Sequence, residues 1–353
     1  MIRSPLAFTL LTLTLAGCSP SDPHQQVSQA LTDGVLLPIY SAWHEADRQL
    51  AVSAQGFCAG TQNLAETRRV FLSAQSAWAG VQPALIGPLA EGNRAWQIQF
   101  WPDKKNLVAR QVEALINSKP ELTPADLNKS SVVVQGLTAY EYVLFDPAID
   151  LNNGTQKARY CPLLIAIGEH QNVLAANVLS QWQSQNGIGA QLKRFPNERF
   201  ADAQEAVAEL LRTQVNALDG LKKKLGTPLG RQSKGQPQPY QADAWRSNAS
   251  LTNLAASLAS AERLWLGAEQ DGLSALLSGE HSDLKARIDA AYSDTRQRLA
   301  AAQRPLSELL RDEAGMQEAN ALYDSLNALH RLHEVEVAKA LGIQLGFNAH
   351  DGD

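Results

Sequence analysis

The sequence predicts an all-α protein of bundled helices arranged as two bundle halves. Apolar residues recur at helical spacing along most of its 353 residues, sustained two-residue alternation is absent, and a 44% hydrophobic fraction rich in Ala and Leu favours helix. Around residues 62–79, "QNLAETRRVFLSAQSAW" places Leu64, Val70, Phe71, Ala74 and Trp78 near one face, with Glu66, Arg69 and Gln75 elsewhere. Similar patterns predict helices over 131–145, 158–183, 198–224, 243–268, 281–303 and 314–340. The net charge of -5 and the lack of a polybasic run argue against a nucleic-acid partner.

The chain opens with Arg3 and the short apolar run "PLAFTLLTLTLA", followed by "LAGC". That run is too short to span a bilayer as a stable helix, so residues 1–17 read as a secretory signal. The order Leu15, Ala16, Gly17, Cys18 resembles a bacterial lipobox, which specifies lipidation of Cys18 and cleavage before it. Ser19 after the cysteine favours the outer membrane, so the expected location is the cell envelope, lipid-anchored and facing the periplasm. In that oxidising space the two remaining cysteines, Cys58 and Cys161, read as a disulfide, the alternative being two separate buried thiols.

Residues 18–30 read as a tether, 31–190 as the first bundle half and 191–353 as the second. "QSQNGIGAQLKRFPNE" at 183–198 supplies the boundary, and the Gly- and Pro-rich stretch at 226–243 is incompatible with regular helix. Loops of that length are often functional. Pro305 is expected in the first turn of a helix, where its missing N–H costs nothing. "SAWAG" at 76–80 and "RLWLG" at 263–267 hint at duplication between the halves.

The segment "GLTAYEYVLFD", residues 136–146, carries a carboxylate inside an apolar and aromatic helix. Val134, Thr138, Glu141 and Phe145 form one stripe, beside another of Val133, Leu137, Tyr140 and Leu144. A helix apolar on two neighbouring stripes is buried, so Glu141 and Thr138 project together toward the interior or a cleft. An unpaired buried charge costs several kcal/mol or more, so Glu141 needs a partner. It is either a site carboxylate with a hydroxyl one turn before it, or half of an ion pair with an arginine from another helix.

Here the chain resembles the imelysin-like family, marked by a Gly-x-His-x-x-Glu motif. Gly136 and Glu141 match that motif, and Thr138 stands where the histidine belongs. "RRVFLSAQSAW", "AWQIQFWPDKKN", "ARYCPLLIAIGEHQNVLAANV", "AWRSNASLTNLAASLASAERLWLG" and the ending "LGIQLGFNAHDGD" extend the likeness over nearly the whole mature chain. The resemblance implies two helical-bundle halves with the motif helix lining a cleft near their junction. It also implies either metallopeptidase activity or a link to iron acquisition, with the motif His and Glu as metal ligands and iron or another divalent metal as the ion. Glu141 carries that role over and Thr138 does not, because a hydroxyl is a far weaker ligand for zinc or iron than an imidazole. No other cofactor is indicated.

Compensating histidines are not evident. "HRLHEVE" at 330–336 places His333 and Glu336 three residues apart, but its charges read as the solvated face of the last helix. His44 with Asp47 likewise reads as part of a surface helix. In "NRAWQIQFWPDKKN", Trp96, Phe100 and Trp101 either line a pocket with Asp103 and Lys104 at its rim, or form a packed turn in which Asp103 caps the next helix. Arg246 and Ser247 are expected partners of Glu141 across the junction.

Three functions follow as expectations. The first is a non-catalytic binding lipoprotein linked to iron acquisition or handling, with iron-uptake components as partners. The second is a metallopeptidase with a replacement ligand, and the third an interaction scaffold with a vestigial cleft.

Overall fold

Helix α1 (Pro23–Leu31) begins where Asp22 accepts the His24 backbone N–H at 2.9 Å and Pro23 pre-sets the first turn. The computed structural model describes residues 22–92 and 94–345, so the signal segment, Cys18, His350, Asp351 and Asp353 lie outside the described residues. The tether expected over 18–30 is therefore helix from Pro23 onward. Val27 and Leu31 supply the reason, being buried in the core, and Ser28 donates to the Leu192 carbonyl at 2.6 Å. A π-helical turn at Thr32–Leu36 leads into α2 (Leu37–Ala59), which stops at Gly60 with φ 82°, a conformation glycine adopts without strain.

The chain continues through α3 (Leu64–Val81), α4 (Arg94–Ile98), α5 (Leu107–Ser118), α6 (Pro124–Asn128), α7 (Leu137–Phe145) and α8 (Gly154–Gln183). It then forms α9 (Ile188–Gln191), α10 (Ala203–Gly226), α11 (Ser250–Leu266), α12 (Ser282–Ala301), α13 (Leu306–Leu309), α14 (Glu313–Arg331) and α15 (Ala338–Ala340). No strand occurs among the described residues, and no helix there is long and apolar enough to cross a membrane. Two expected helices begin later than their patterns. The stretch 131–145 is broken by a 3₁₀ turn at Val132–Val134 before α7, and 243–249 is a turn because Ala244 and Asn248 adopt left-handed φ of 53° and 58°. Pro305 sits just outside α13 as its cap rather than in its first turn.

Helix α2 packs along both α3 and α8, and α3 turns another face to α11. Helix α10 lies against α1, α11 and α14. Buried side chains from before and after residue 190 join in one continuous hydrophobic cluster, from Tyr40, Trp43, Trp78 and Trp182 through Leu218 to Trp265 and Tyr292. The stretch at 183–198 therefore links segments that share a core.

Cys58 of α2 and Cys161 of α8 have their sulfurs at bonding distance and their Cα atoms 5.6 Å apart. Because that link closes a loop of 103 residues, replacing both with serine is expected to lower stability by about 2–5 kcal/mol. Chemical denaturation of the oxidised wild type against the double variant measures the difference. Equal midpoints would show that the bridge is not formed.

Candidate functional site

The site starts from a close backbone approach. Gly136 caps the start of α7, and a Cβ there would fall 2.2 Å from the Ile98 carbonyl oxygen and 2.5 Å from that of Gln97. Glycine is thus the residue that lets the end of α4 lie across the start of α7. This crossing brings Phe100 over the helix, where its carbonyl accepts from Thr138 Oγ1 at 3.1 Å.

One turn further on, Glu141 is 2% exposed. Ser247 donates to its Oε1 twice, from the backbone N–H and from Oγ, each at 2.8 Å. Its Oε2 accepts no hydrogen bond from the described residues. Arg246 points another way: its Nε donates to Asp146 at 3.0 Å, its Nη2 to Asn106 at 2.8 Å, and its guanidinium stacks 4.4 Å over Trp245. The arginine expected beside Glu141 is therefore the ion-pair partner of Asp146, and it acts on Glu141 only through its charge. Burial pushes the Glu141 carboxyl up to about 7, against the Ser247 hydrogen bonds and the Arg246 charge, while Asp243 adds to the rise. The group thus changes protonation state near neutrality.

A polar seam lies alongside. Lys224 donates to Asp243 at 2.6 Å and to Gln99 at 3.2 Å, and Gln99 donates back to Asp243 at 2.5 Å. Trp78 and Gln82 also donate to the Gln99 side-chain oxygen, at 3.1 and 2.8 Å. Trp101 closes the seam, donating to the Gln241 carbonyl at 2.9 Å with Lys224 Nζ 5.7 Å from its ring. Asp103 accepts the Leu107 and Val108 backbone N–H groups at 2.6 and 3.2 Å and so starts α5. It also borders the recess.

Phe100, Trp101, Thr138, Glu141, Asp243 and Trp245 line that recess. An outer cavity of about 570 Å³ shares Asp103, Tyr240 and Trp245 with it and adds Lys104, Lys105 and the Pro237–Pro239 loop. Asp243, Lys224, Gln99, Tyr240 and Trp245 escape a reading by motif. The signals available for them were the aromatic residues around "YQADAW" and the length of the Gly- and Pro-rich loop before it.

The donor set does not fit a motif-type metal. Glu141 is engaged by Ser247, Thr138 donates to a carbonyl, Asp243 is paired with Lys224, and Asp103 caps a helix. Two cations, Arg246 and Lys224, flank the same space, and no cluster of three or more His, Cys, Asp or Glu suited to a metal occurs among the described residues. The "HRLHEVE" segment differs from its expected solvated face. His330 and His333 are buried, His333 between Trp265 and Tyr292, whereas Glu336 pairs outside with Arg287 at 2.7 Å. A π-helical turn at Leu332–Val337 changes the angular step per residue and separates the two faces. Burial lowers His333 to about 4, so it packs as a neutral ring. Asp47 also departs from the surface reading: it is fully buried, and burial raises its pKa well above the ordinary range, against the Trp43 indole beside it.

With the geometry in place, the comparisons decide the family. The imelysin model, peptidase M75, matches residues 36–333. The chain belongs to the imelysin family. Two solved structures share the fold. An imelysin-like protein from Psychrobacter arcticum 273-4 has a TM-score of 0.79 and 21% identity, covering 92% of this chain and 97% of that one. A candidate iron-regulated protein A precursor from Parabacteroides distasonis ATCC 8503 has a TM-score of 0.75 and 16% identity, with the same coverages. No curated protein matches the chain. Within this imelysin fold, Thr138 and Glu141 both lie on α7.

Two variants test the construction of the site. Gly136→Ala is expected to cost about 1–3 kcal/mol or more, since two backbone carbonyls must move, and thermal denaturation reads the loss. Glu141 has a folded pKa above its unfolded value, so the fold pays nothing for it below about pH 4.5 and loses stability as pH rises to about 7. At about 1.4 kcal/mol per pH unit, Glu141→Gln is expected to gain up to about 3 kcal/mol over wild type by pH 7–8. The two should converge near pH 4, and denaturation midpoints across that range measure the crossover.

Proposed function

We propose that this imelysin-family protein is a non-catalytic binding protein of the bacterial envelope, lipid-anchored through Cys18 and linked to iron acquisition or handling. One observation carries the reading: one oxygen of the motif carboxylate is held by Ser247, and the position one turn before it holds Thr138, whose hydroxyl is turned to the Phe100 carbonyl. A zinc peptidase needs several good ligands and an open position for water. The recess offers instead aromatic walls, one paired cation, Arg246, and a carboxyl that titrates near neutrality. The iron connection rests on the description of the Parabacteroides distasonis neighbour as iron-regulated, and the anchor on the "LAGC" segment. The Cys58–Cys161 geometry accords with an oxidising compartment.

In this reading the ligand occupies the outer cavity, between Lys104 and Lys105 and the rings of Tyr240 and Trp245, and the inner recess, about 10 Å³ and roomy enough for one water, links it to Glu141. A protonated Glu141 donates a hydrogen bond there and an ionised one accepts. Calorimetry and elemental analysis with ferrous, ferric and zinc ions are expected to show no tight stoichiometric site in the wild type. Stoichiometric metal in the wild type that is lost in Glu141→Ala would overturn that expectation. Metal-dependent cleavage of a peptide library by highly purified protein, abolished by the same substitution, would replace the binding reading with a peptidase.

A further inference from the structure

The lining of the outer cavity is specific enough to define what fills it. Lys104 and Lys105 lie on its wall, both exposed, and neither forms an ion pair or a hydrogen bond among the described residues. Asp103 is the one carboxylate in that lining, and its two oxygens are spent on the first backbone N–H groups of α5. The acid is thus compensated by the positive end of its own helix, and the two lysine charges are not offset. A ligand in this space meets net positive charge.

The loop before α11 supplies rings. Tyr240 is 58% exposed, and its ring meets that of Trp245 at 4.9 Å between centroids and an angle of 66°. Two rings set edge to face form a corner in which a third flat ring can stack on one and meet the edge of the other, the pairings that aromatic quadrupoles prefer. The corner is held in place. Gln238 donates its backbone N–H to the Pro228 carbonyl at 2.7 Å, Trp101 donates to the Gln241 carbonyl at 2.9 Å, and Arg246 packs 4.4 Å from the Trp245 ring. The loop is therefore pinned on both sides of Tyr240, which spares a ligand the cost of ordering it.

We infer that the outer cavity binds a small anion that carries an aromatic ring: the ring packs on Tyr240 and Trp245, and the negative group is held by Lys104 and Lys105. An ammonium is a compact point charge and reads charge rather than the planar shape of a carboxylate. The ligand class is accordingly set by charge and ring together, and an aromatic carboxylate or sulfonate meets it equally. The inference rests on the reading of this cavity as the binding site and names the chemistry of what it binds.

Calorimetry of the purified protein with benzoate, indole-3-acetate and naphthalene-1-sulfonate tests the assignment, with benzamide as the neutral aromatic and cyclohexanecarboxylate as the anion without an aromatic ring. At least one aromatic anion is expected to bind with a stoichiometry of one, at least tenfold more tightly than either control, and more weakly as salt is raised. Lys104→Gln combined with Lys105→Gln should weaken that binding at least tenfold, as should Tyr240→Ala, whereas arginine at both lysine positions should retain it. All three side chains are exposed, so these variants keep the fold. Failure of every aromatic anion at millimolar concentration would overturn the proposal. Benzamide or cyclohexanecarboxylate binding as tightly as the aromatic anions, with loss in Tyr240→Ala, would overturn the ligand class and leave the cavity as the binding site. Aromatic anions bound equally well by the lysine double variant and by Tyr240→Ala would overturn both the class and the reading of the cavity.

Discussion

The paired hydrogen bonds from Ser247 to Glu141 are the constraint around which the site is arranged. Burying a carboxylate in an aromatic helix is costly, and two donors from a single residue offset part of that cost. To deliver both, the chain must turn sharply just before α11, and it does so with Ala244 and Asn248 in left-handed conformations. Left-handed backbone in non-glycine residues costs energy and persists only where its surroundings hold it. Arg246 supplies the hold, clamped to Asp146 at the end of α7 and to Asn106 at the start of α5. The turn at 243–249 and the motif helix are therefore fixed to each other at the middle and at the C-terminal end of α7.

The same arrangement accounts for the polar seam. Asp243 begins the turn and is drawn against Lys224 and Gln99, so three segments far apart in sequence meet in one hydrogen-bonded cluster. A cluster of this kind contributes less to net stability than to specificity, since a misplaced segment would strand buried polar groups. Thr138 fits this setting: a small hydroxyl satisfies the Phe100 carbonyl that crosses above α7. The recess is accordingly lined by hydrogen-bonding and aromatic groups.

Much of the fold was legible because helical periodicity is a local signal. The patterns at 62–79, 158–183 and 281–303 correspond closely to α3, α8 and α12, since each buries one continuous apolar face. The failures occur where local pattern and tertiary demand diverge. The segment at 19–30 looks polar and loose, yet Val27, Ser28 and Leu31 dock on the core. The charges in "HRLHEVE" suggest a solvated face, yet His330 and His333 are buried. Asp47 sits in a sequence of charged residues and gives no local sign that its own position faces the interior.

By itself the sequence determined the all-α class, the imelysin resemblance and Glu141 as a buried carboxylate needing a partner. These follow from residue identity and from spacing within single helices. Only the tertiary structure decided that Ser247 satisfies Glu141 while Arg246 serves Asp146, that Asp103 both caps α5 and borders the recess, and that Lys104, Lys105, Tyr240 and Trp245 share a cavity. Each of those joins residues tens of positions apart or depends on the direction in which a side chain leaves a turn, and periodicity carries no information about either.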